Sequence, residues 1–139
     1  MRKLVSALLL LTVATTAVAN PYPWKVTRAV DGDTVEVQVD WLPVELGDKL
    51  KIRIFGVDTP EKGGRAKCSA EAMLGARATE FTKKFIKGKK ILVEIKQWDK
   101  FGGRVLGDVN VDGKSLRAEL IENGFAREYF GAAKKSWCN

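Results

Sequence analysis

Leu50-Lys51-Ile52-Arg53-Ile54-Phe55-Gly56-Val57, running into Asp58-Thr59-Pro60-Glu61, decides how this chain folds. Leu50, Ile52 and Ile54 recur every second residue, the period of a half-buried β-strand, and this places Arg53 on the opposite, outward face. Pro60 has no amide hydrogen to continue a ladder, so the strand ends there with Asp58 and Glu61 in its terminal turn. A second acidic turn, Asp31-Gly32-Asp33-Thr34, lies upstream. On either side of it Trp24–Val30 and Thr34–Trp41 alternate and read as a hairpin. The second of these strands carries Val35, Val37, Val39 and Trp41 on one face and Glu36, Gln38 and Asp40 on the other.

Downstream, Ser69–Lys87 reads as a long helix capped by Ser69 and stopped by Gly88. Leu74, Ala78, Phe81 and Phe85 form its apolar stripe, expected to pack into the core. Ile91–Lys96 and Arg104–Val111 read as the fourth and fifth strands. Ser115 opens a short helix that ends at Gly124. Three strands, a helix, two strands and a helix predict a mainly β, α+β fold. The expected architecture is a five-stranded OB-fold barrel with two to three packed helices.

The 139 residues contain no histidine and two cysteines. Zinc therefore lacks its usual ligands, and acid–base chemistry falls to carboxylates. Met1-Arg2-Lys3, the apolar run Leu4–Val13 and the small residues Ala17-Val18-Ala19 read as a signal peptide over residues 1–19, cut after Ala19. One domain, 20–139, remains, secreted or periplasmic and with no membrane anchor. Its formal charge falls from +7 to +5 as Arg2 and Lys3 leave. A basic surface with local acidic pockets suits a polyanion handled through a bound cation. In an oxidising compartment Cys68 and Cys138 are expected to form a disulfide.

Asp31-Gly32-Asp33-Thr34-Val35, then Ile52-Arg53 leading to Val57-Asp58-Thr59-Pro60-Glu61, then Asp99-Lys100-Phe101-Gly102-Gly103-Arg104, resemble the staphylococcal nuclease family in order and rough spacing. Singly each piece is a common turn; together they span nearly the whole mature chain. The resemblance implies an OB barrel and calcium-dependent cleavage of DNA and RNA, leaving 3′-phosphate ends. It implies that Asp33, Asp58 and the carbonyl of Thr59 hold Ca2+. Glu61 would hold the attacking water, as general base or as its orienter, and Arg53 and Arg104 would grip the scissile phosphate. Lys100 and Tyr129 would contact substrate, with Phe130 as the competing match for Tyr129. Phe101 stands where the family often has tyrosine, and Gly102-Gly103 adds a glycine before Arg104.

Such an enzyme would act as a monomer on nucleic acid with weak sequence preference, because phosphate contacts carry no base information. The rival reading is a non-catalytic OB-fold module that stacks single strands on Phe101, Tyr129 and Phe130. It leaves the acids and arginines unexplained. Since neither cysteine lies among the acidic motifs, breaking the bridge is expected to lower stability but to spare calcium binding.

Overall fold

In the computed structural model, which describes residues 21–138, the alternating segments wrap into one curled sheet. The elements run β1 (Lys25–Asp31), β2 (Thr34–Gln38), β3 (Lys49–Ile54), β4 (Val57–Asp58), α1 (Ser69–Ile86), β5 (Ile91–Trp98), β6 (Arg104–Val111), β7 (Lys114–Ser115), α2 (Leu116–Glu122) and β8 (Arg127–Glu128). The leader read over residues 1–19 lies outside the described residues.

The main sheet has the order β1-β2-β3-β6-β5, with β3 and β6 parallel and the other neighbours antiparallel. Tyr22 and Val93 exchange backbone hydrogen bonds of 2.7 and 2.8 Å, which draws the two ends of the sheet together. The result is the expected OB-type barrel with two α-helices. Val35, Val37, Ile52, Ile54, Val93 and Val109 build its core, which Leu116 and Leu120 of α2 join. β7 pairs with β6, while β4 and β8 form a small ladder of their own.

Three local expectations are corrected. The second strand stops at Gln38, and Trp41 leaves the core face to stand 59% exposed beside Trp24. The chain turns there toward Pro43 and Gly47, so the alternation outlasts the ladder. The third strand breaks at Phe55-Gly56, where Gly56 takes a φ of 76°. It resumes as β4 against β8, which turns Asp58 away from the main sheet.

The third correction concerns α1. Its N-cap is Cys68, whose Sγ accepts the Glu71 amide at 3.4 Å, rather than Ser69. Its buried line is Glu71, Gly75, Ala78, Thr82 and Ile86. Leu74, Phe81 and Phe85 flank that line half-buried, the two phenylalanines stacked at 6.0 Å. The reason is what the helix rests on. Much of α1 lies against backbone turns, so the innermost side chains must be small. A Cβ on Gly75 would overlap the Glu61 carbonyl and come within 2.8 Å of the Pro60 carbonyl oxygen. A Cβ on Gly32 would stand 2.8 Å from that of Ala78. The Thr82 hydroxyl donates to the Gly32 carbonyl at 2.6 Å. One helix thus fixes both acidic turns.

The two cysteines pair as expected: Cys68 and Cys138 are bonded, with Cα atoms 6.1 Å apart and a sequence separation of 70. Closing a loop of that length in the unfolded chain stabilises the fold by about 4 kcal/mol in the chain-entropy model.

Gly75→Ala separates packing from propensity. Alanine is the better helix former by about 1 kcal/mol. The overlap with the Pro60–Glu61 backbone should nevertheless make the variant less stable by about 1–3 kcal/mol. Urea denaturation checks this; a more stable variant would show that the close approach is not tight.

Candidate active site

Asp31 and Asp33 of the first acidic turn and Glu61 of the second line one cleft of about 690 Å³ with Arg53, Lys100 and Arg104. Asp58 and Thr59 line a smaller adjoining pocket, which shares Glu61, Arg65 and the tail residue Lys134 with the cleft and is also lined by Trp137. The strand register explains the arginines. Arg53 on β3 pairs with Thr34 on β2, and Lys51, two residues earlier on the same face, pairs with Arg104 on β6. The two guanidinium groups therefore rise from the outer face of adjacent strands. The extra glycine does not carry Arg104 out of the cleft. Gly103 takes a φ of 71° and absorbs the added residue in the β5–β6 turn.

Asp33 is 6% exposed and lies at the centre. Its Oδ2 pairs with Arg53 at 2.5 Å and accepts the Thr59 amide at 3.3 Å, while the Thr34 hydroxyl donates to Oδ1 at 3.0 Å. The Thr59 bond ties the two acidic turns together across 26 residues. Burial alone would ease the proton off Arg53, but the neighbouring charge of Asp33, with Asp58 and Asp31 beyond it, more than offsets this and keeps the guanidinium charged. Arg53 also donates to the Val57 carbonyl at 3.2 Å, which aims it along the cleft.

Asp58 is 5% exposed and faces the C-terminal tail. The Trp137 indole donates to its Oδ2 at 3.1 Å. The Lys134 ammonium stands 2.6 Å from its Oδ1, which has no directed hydrogen bond. Glu61 is half-exposed at the cleft mouth, 3.3 Å from Arg65. Arg65 also pairs with Asp31 at 3.1 Å. Arg104 is oriented by Asp99 at 2.5 Å and lies 4.8 Å from the Phe101 ring. Lys100 is exposed, with its ammonium 5.2 Å from the same ring. Tyr129 and Phe130 both line the cleft. The backbone amide of Tyr129 bonds the Gly56 carbonyl at 3.0 Å, and Phe130 packs edge-on against Phe55 at 5.6 Å.

Several residues of this constellation escaped the sequence reading. Asp31 and Asp99 stood in the quoted motifs but were given no role. Arg65 was read only as part of a loop, although its spacing of four from Glu61 could have pointed to the pair. Glu71, whose carboxylate accepts the Glu61 and Lys67 amides at 3.3 and 2.7 Å, looked like an ordinary first-turn acid. Lys134 and Trp137 carried no local signal, because they meet Asp58 only in the folded chain.

Among the described residues no three acidic or thiol side chains stand ready around a single cation position. Single buried carboxylate oxygens do stand without hydrogen bonds: Asp31 Oδ1 and Asp58 Oδ1. Lys134 lies against Asp58 and Arg65 against Asp31, while Arg53 lies against the neighbouring Asp33. Buried carboxylate oxygens of this kind fit a hard divalent cation.

Carboxylates and guanidinium groups thus meet in one cleft of an OB barrel, Asp31, Asp33 and Glu61 beside Arg53 and Arg104. A family model described as Staphylococcal nuclease homologue matches residues 51–137, and the chain belongs to that family. It is similar to the thermonuclease of Staphylococcus hyicus, 32% identical over 114 residues (81% of this chain, 62% of the relative). Endonuclease YncB of Bacillus subtilis (strain 168) is 34% identical over 102 residues, 72% of this chain and 44% of its own. Protein ParB of Escherichia coli is 30% identical over 138 residues, 93% of this chain and 69% of its own. The chain thus spans about two-fifths to two-thirds of the length of these relatives.

Burial, with the charge and hydrogen bond of Asp33 beside it, pushes the Asp31 carboxyl up from 3.8 to about 6. The folded state therefore holds this proton more tightly than the unfolded chain. In the cation-free protein its contribution to stability is lost as pH rises from about 4 to about 6 and stays lost above. Asp31→Asn should accordingly melt higher than wild type at pH 7 in EGTA, with the difference closing toward pH 4. Equal melting temperatures at pH 7 would contradict the crowding of Asp31 and Asp33.

Proposed function

We propose that this protein is a calcium-dependent endonuclease that hydrolyses DNA and RNA with weak sequence preference and leaves 3′-phosphate ends. The observation that carries the proposal is the meeting of Arg53, Arg104, Glu61 and buried Asp33 in one cleft of a staphylococcal-nuclease-family barrel. Asp33, Asp58 and the Thr59 carbonyl would hold the cation. Calcium accepts few protein oxygens in irregular geometry and takes the rest from water and phosphate. When bound, it would neutralise phosphate charge and draw the phosphorus open to attack.

The protein's own groups account for the rest. Arg53 leaves Asp33 for a phosphate oxygen as substrate enters, and Arg104, steadied by Asp99, takes another. Both guanidinium groups stay charged and present fork-shaped donors to the charge that builds on the phosphate. Glu61 holds a water in line with the bond to the 5′ oxygen and receives or directs its proton. The water oxygen bonds to phosphorus, and the bond to the 5′ oxygen breaks. The departing 5′ oxygen takes a proton from solvent, leaving a 3′-phosphate and a 5′-hydroxyl. Lys100 binds a neighbouring phosphate, while Phe101, Tyr129 and Phe130 offer ring faces to bases without reading them.

The disulfide supports export to the periplasm or medium, since such bridges persist in oxidising compartments. The same holds for the leader read over residues 1–19. No helix among the described residues is long and apolar enough to cross a membrane. The mature 20–139 domain acts as a monomer, since every proposed role comes from one chain.

Purified protein should cleave single-stranded DNA and RNA in millimolar calcium, poorly in magnesium and not in EGTA. Arg53→Ala, Glu61→Ala and Arg104→Ala should each lower kcat by about 100- to 1,000-fold. The melting temperature should change little for Glu61→Ala and fall for the two arginine variants, which leave Asp33 or Asp99 buried without its partner. Full cleavage in EGTA would overturn the calcium reading. Tight binding without cleavage in calcium would favour the single-strand-binding module instead.

A further inference from the structure

The C-terminal tail reaches a residue that the proposed site uses. Trp137 donates its indole N–H to Asp58 across 79 residues of sequence. The indole is itself held from two sides. The Arg127 guanidinium lies 3.7 Å from the ring centroid and donates to the Ser136 carbonyl at 2.8 Å. The following residue, Cys138, is bonded to Cys68. Cys68 caps α1, and Glu71 in the first turn of that helix accepts the Glu61 amide. The tail is thus moored to the helix end that also carries the Glu61 turn.

A buried carboxylate is aimed by whatever bonds its second oxygen. At Asp58 that partner is a neutral N–H that donates only. It can fix Oδ2 but cannot itself hold a cation or bring a competing charge. Oδ1 is left buried with no directed hydrogen bond. The Lys134 ammonium 2.6 Å from Oδ1 is a different kind of contact, a charge that a divalent cation displaces.

We propose that Trp137 is a positioning residue for Asp58 and that the Cys68–Cys138 bridge holds it there, so the bridge tunes cation affinity as well as stability. This rests on the reading of Asp58 as a calcium ligand. It reverses the sequence expectation that breaking the bridge spares calcium binding. That expectation followed from the distance between cysteines and acids along the chain, which the fold removes.

Calcium titration calorimetry on the mature protein tests it, with melting temperatures in EGTA as the folding control. Trp137→Phe keeps a ring under Arg127 but loses the donor. It should weaken calcium binding by about tenfold, the low end for losing a partner of a metal ligand, with little change in melting temperature. C68S/C138S should also weaken binding, beyond its loss of stability. Adding W137F to it should cost less than W137F costs alone, because both act through one contact. Arg127→Gln, which loosens the tail with the bridge intact, should shift affinity in the same direction. Wild type and W137F binding calcium equally well would overturn the role of Trp137. Bridge-free protein that is folded and binds as tightly as wild type would overturn the role of the disulfide. Wild type taking up no calcium at millimolar concentration would instead overturn the calcium reading, and this proposal with it.

Discussion

Helix α1 lies so close to the Asp31–Asp33 and Pro60–Glu61 turns that only small residues fit between them, and the rest of the site depends on that approach. Gly75 admits the Pro60–Glu61 backbone, Ala78 abuts Gly32, and Thr82 bonds the Gly32 carbonyl at 2.6 Å. Glu71 adds a carboxylate that receives the Glu61 amide. Two turns that are distant in sequence thereby become parts of one rigid assembly, and the Thr59–Asp33 hydrogen bond is its internal tie. Catalytic geometry generally has to hold within fractions of an ångström. A helix seated directly on backbone provides that better than contacts between long side chains.

Around this frame the cleft balances its own charge. Arg53 covers Asp33, Lys134 covers Asp58, Arg65 spans Asp31 and Glu61, and Asp99 covers Arg104. Acids that would hold a cation and guanidinium groups that would hold a phosphate are paired with one another or with nearby residues. A cation and a phosphodiester arriving together supply both kinds of partner at once, so the exchange leaves no buried charge uncompensated. A cation alone leaves Arg53 without its carboxylate, and a phosphate alone leaves Asp33 without its guanidinium. In the proposed nuclease these pairings would favour joint binding of metal and nucleic acid.

Much of this was legible in the chain itself. Period-two alternation at Leu50, Ile52 and Ile54 gave the strand and put Arg53 outward, and the three motifs in order marked the cleft. The leader read over residues 1–19 prompted the expected pairing of Cys68 with Cys138, and the two cysteines are bonded. What stayed hidden was tertiary. The helical stripe at Leu74, Phe81 and Phe85 looked like the buried face because large apolar residues usually are. Here the innermost position falls to glycine, alanine and threonine, because the neighbour is backbone. Trp41 continued the alternation of its strand past the point where the ladder ended. Lys134 and Trp137 sit in a short basic tail whose part in the site is set by the disulfide and by stacking on Arg127, neither of which leaves a local pattern.

The central claim, that the two acidic turns and the paired arginines form a single site for cation and phosphate, is tested most directly by crystallography. The mature protein would be crystallised with calcium and a non-hydrolysable dinucleotide. The account predicts a cation held by Asp33, Asp58 and the Thr59 carbonyl, with Arg53 released from Asp33 and both arginines on the phosphate. A cation bound elsewhere, or Arg53 still paired with Asp33 while the phosphate lies outside the cleft, would contradict it.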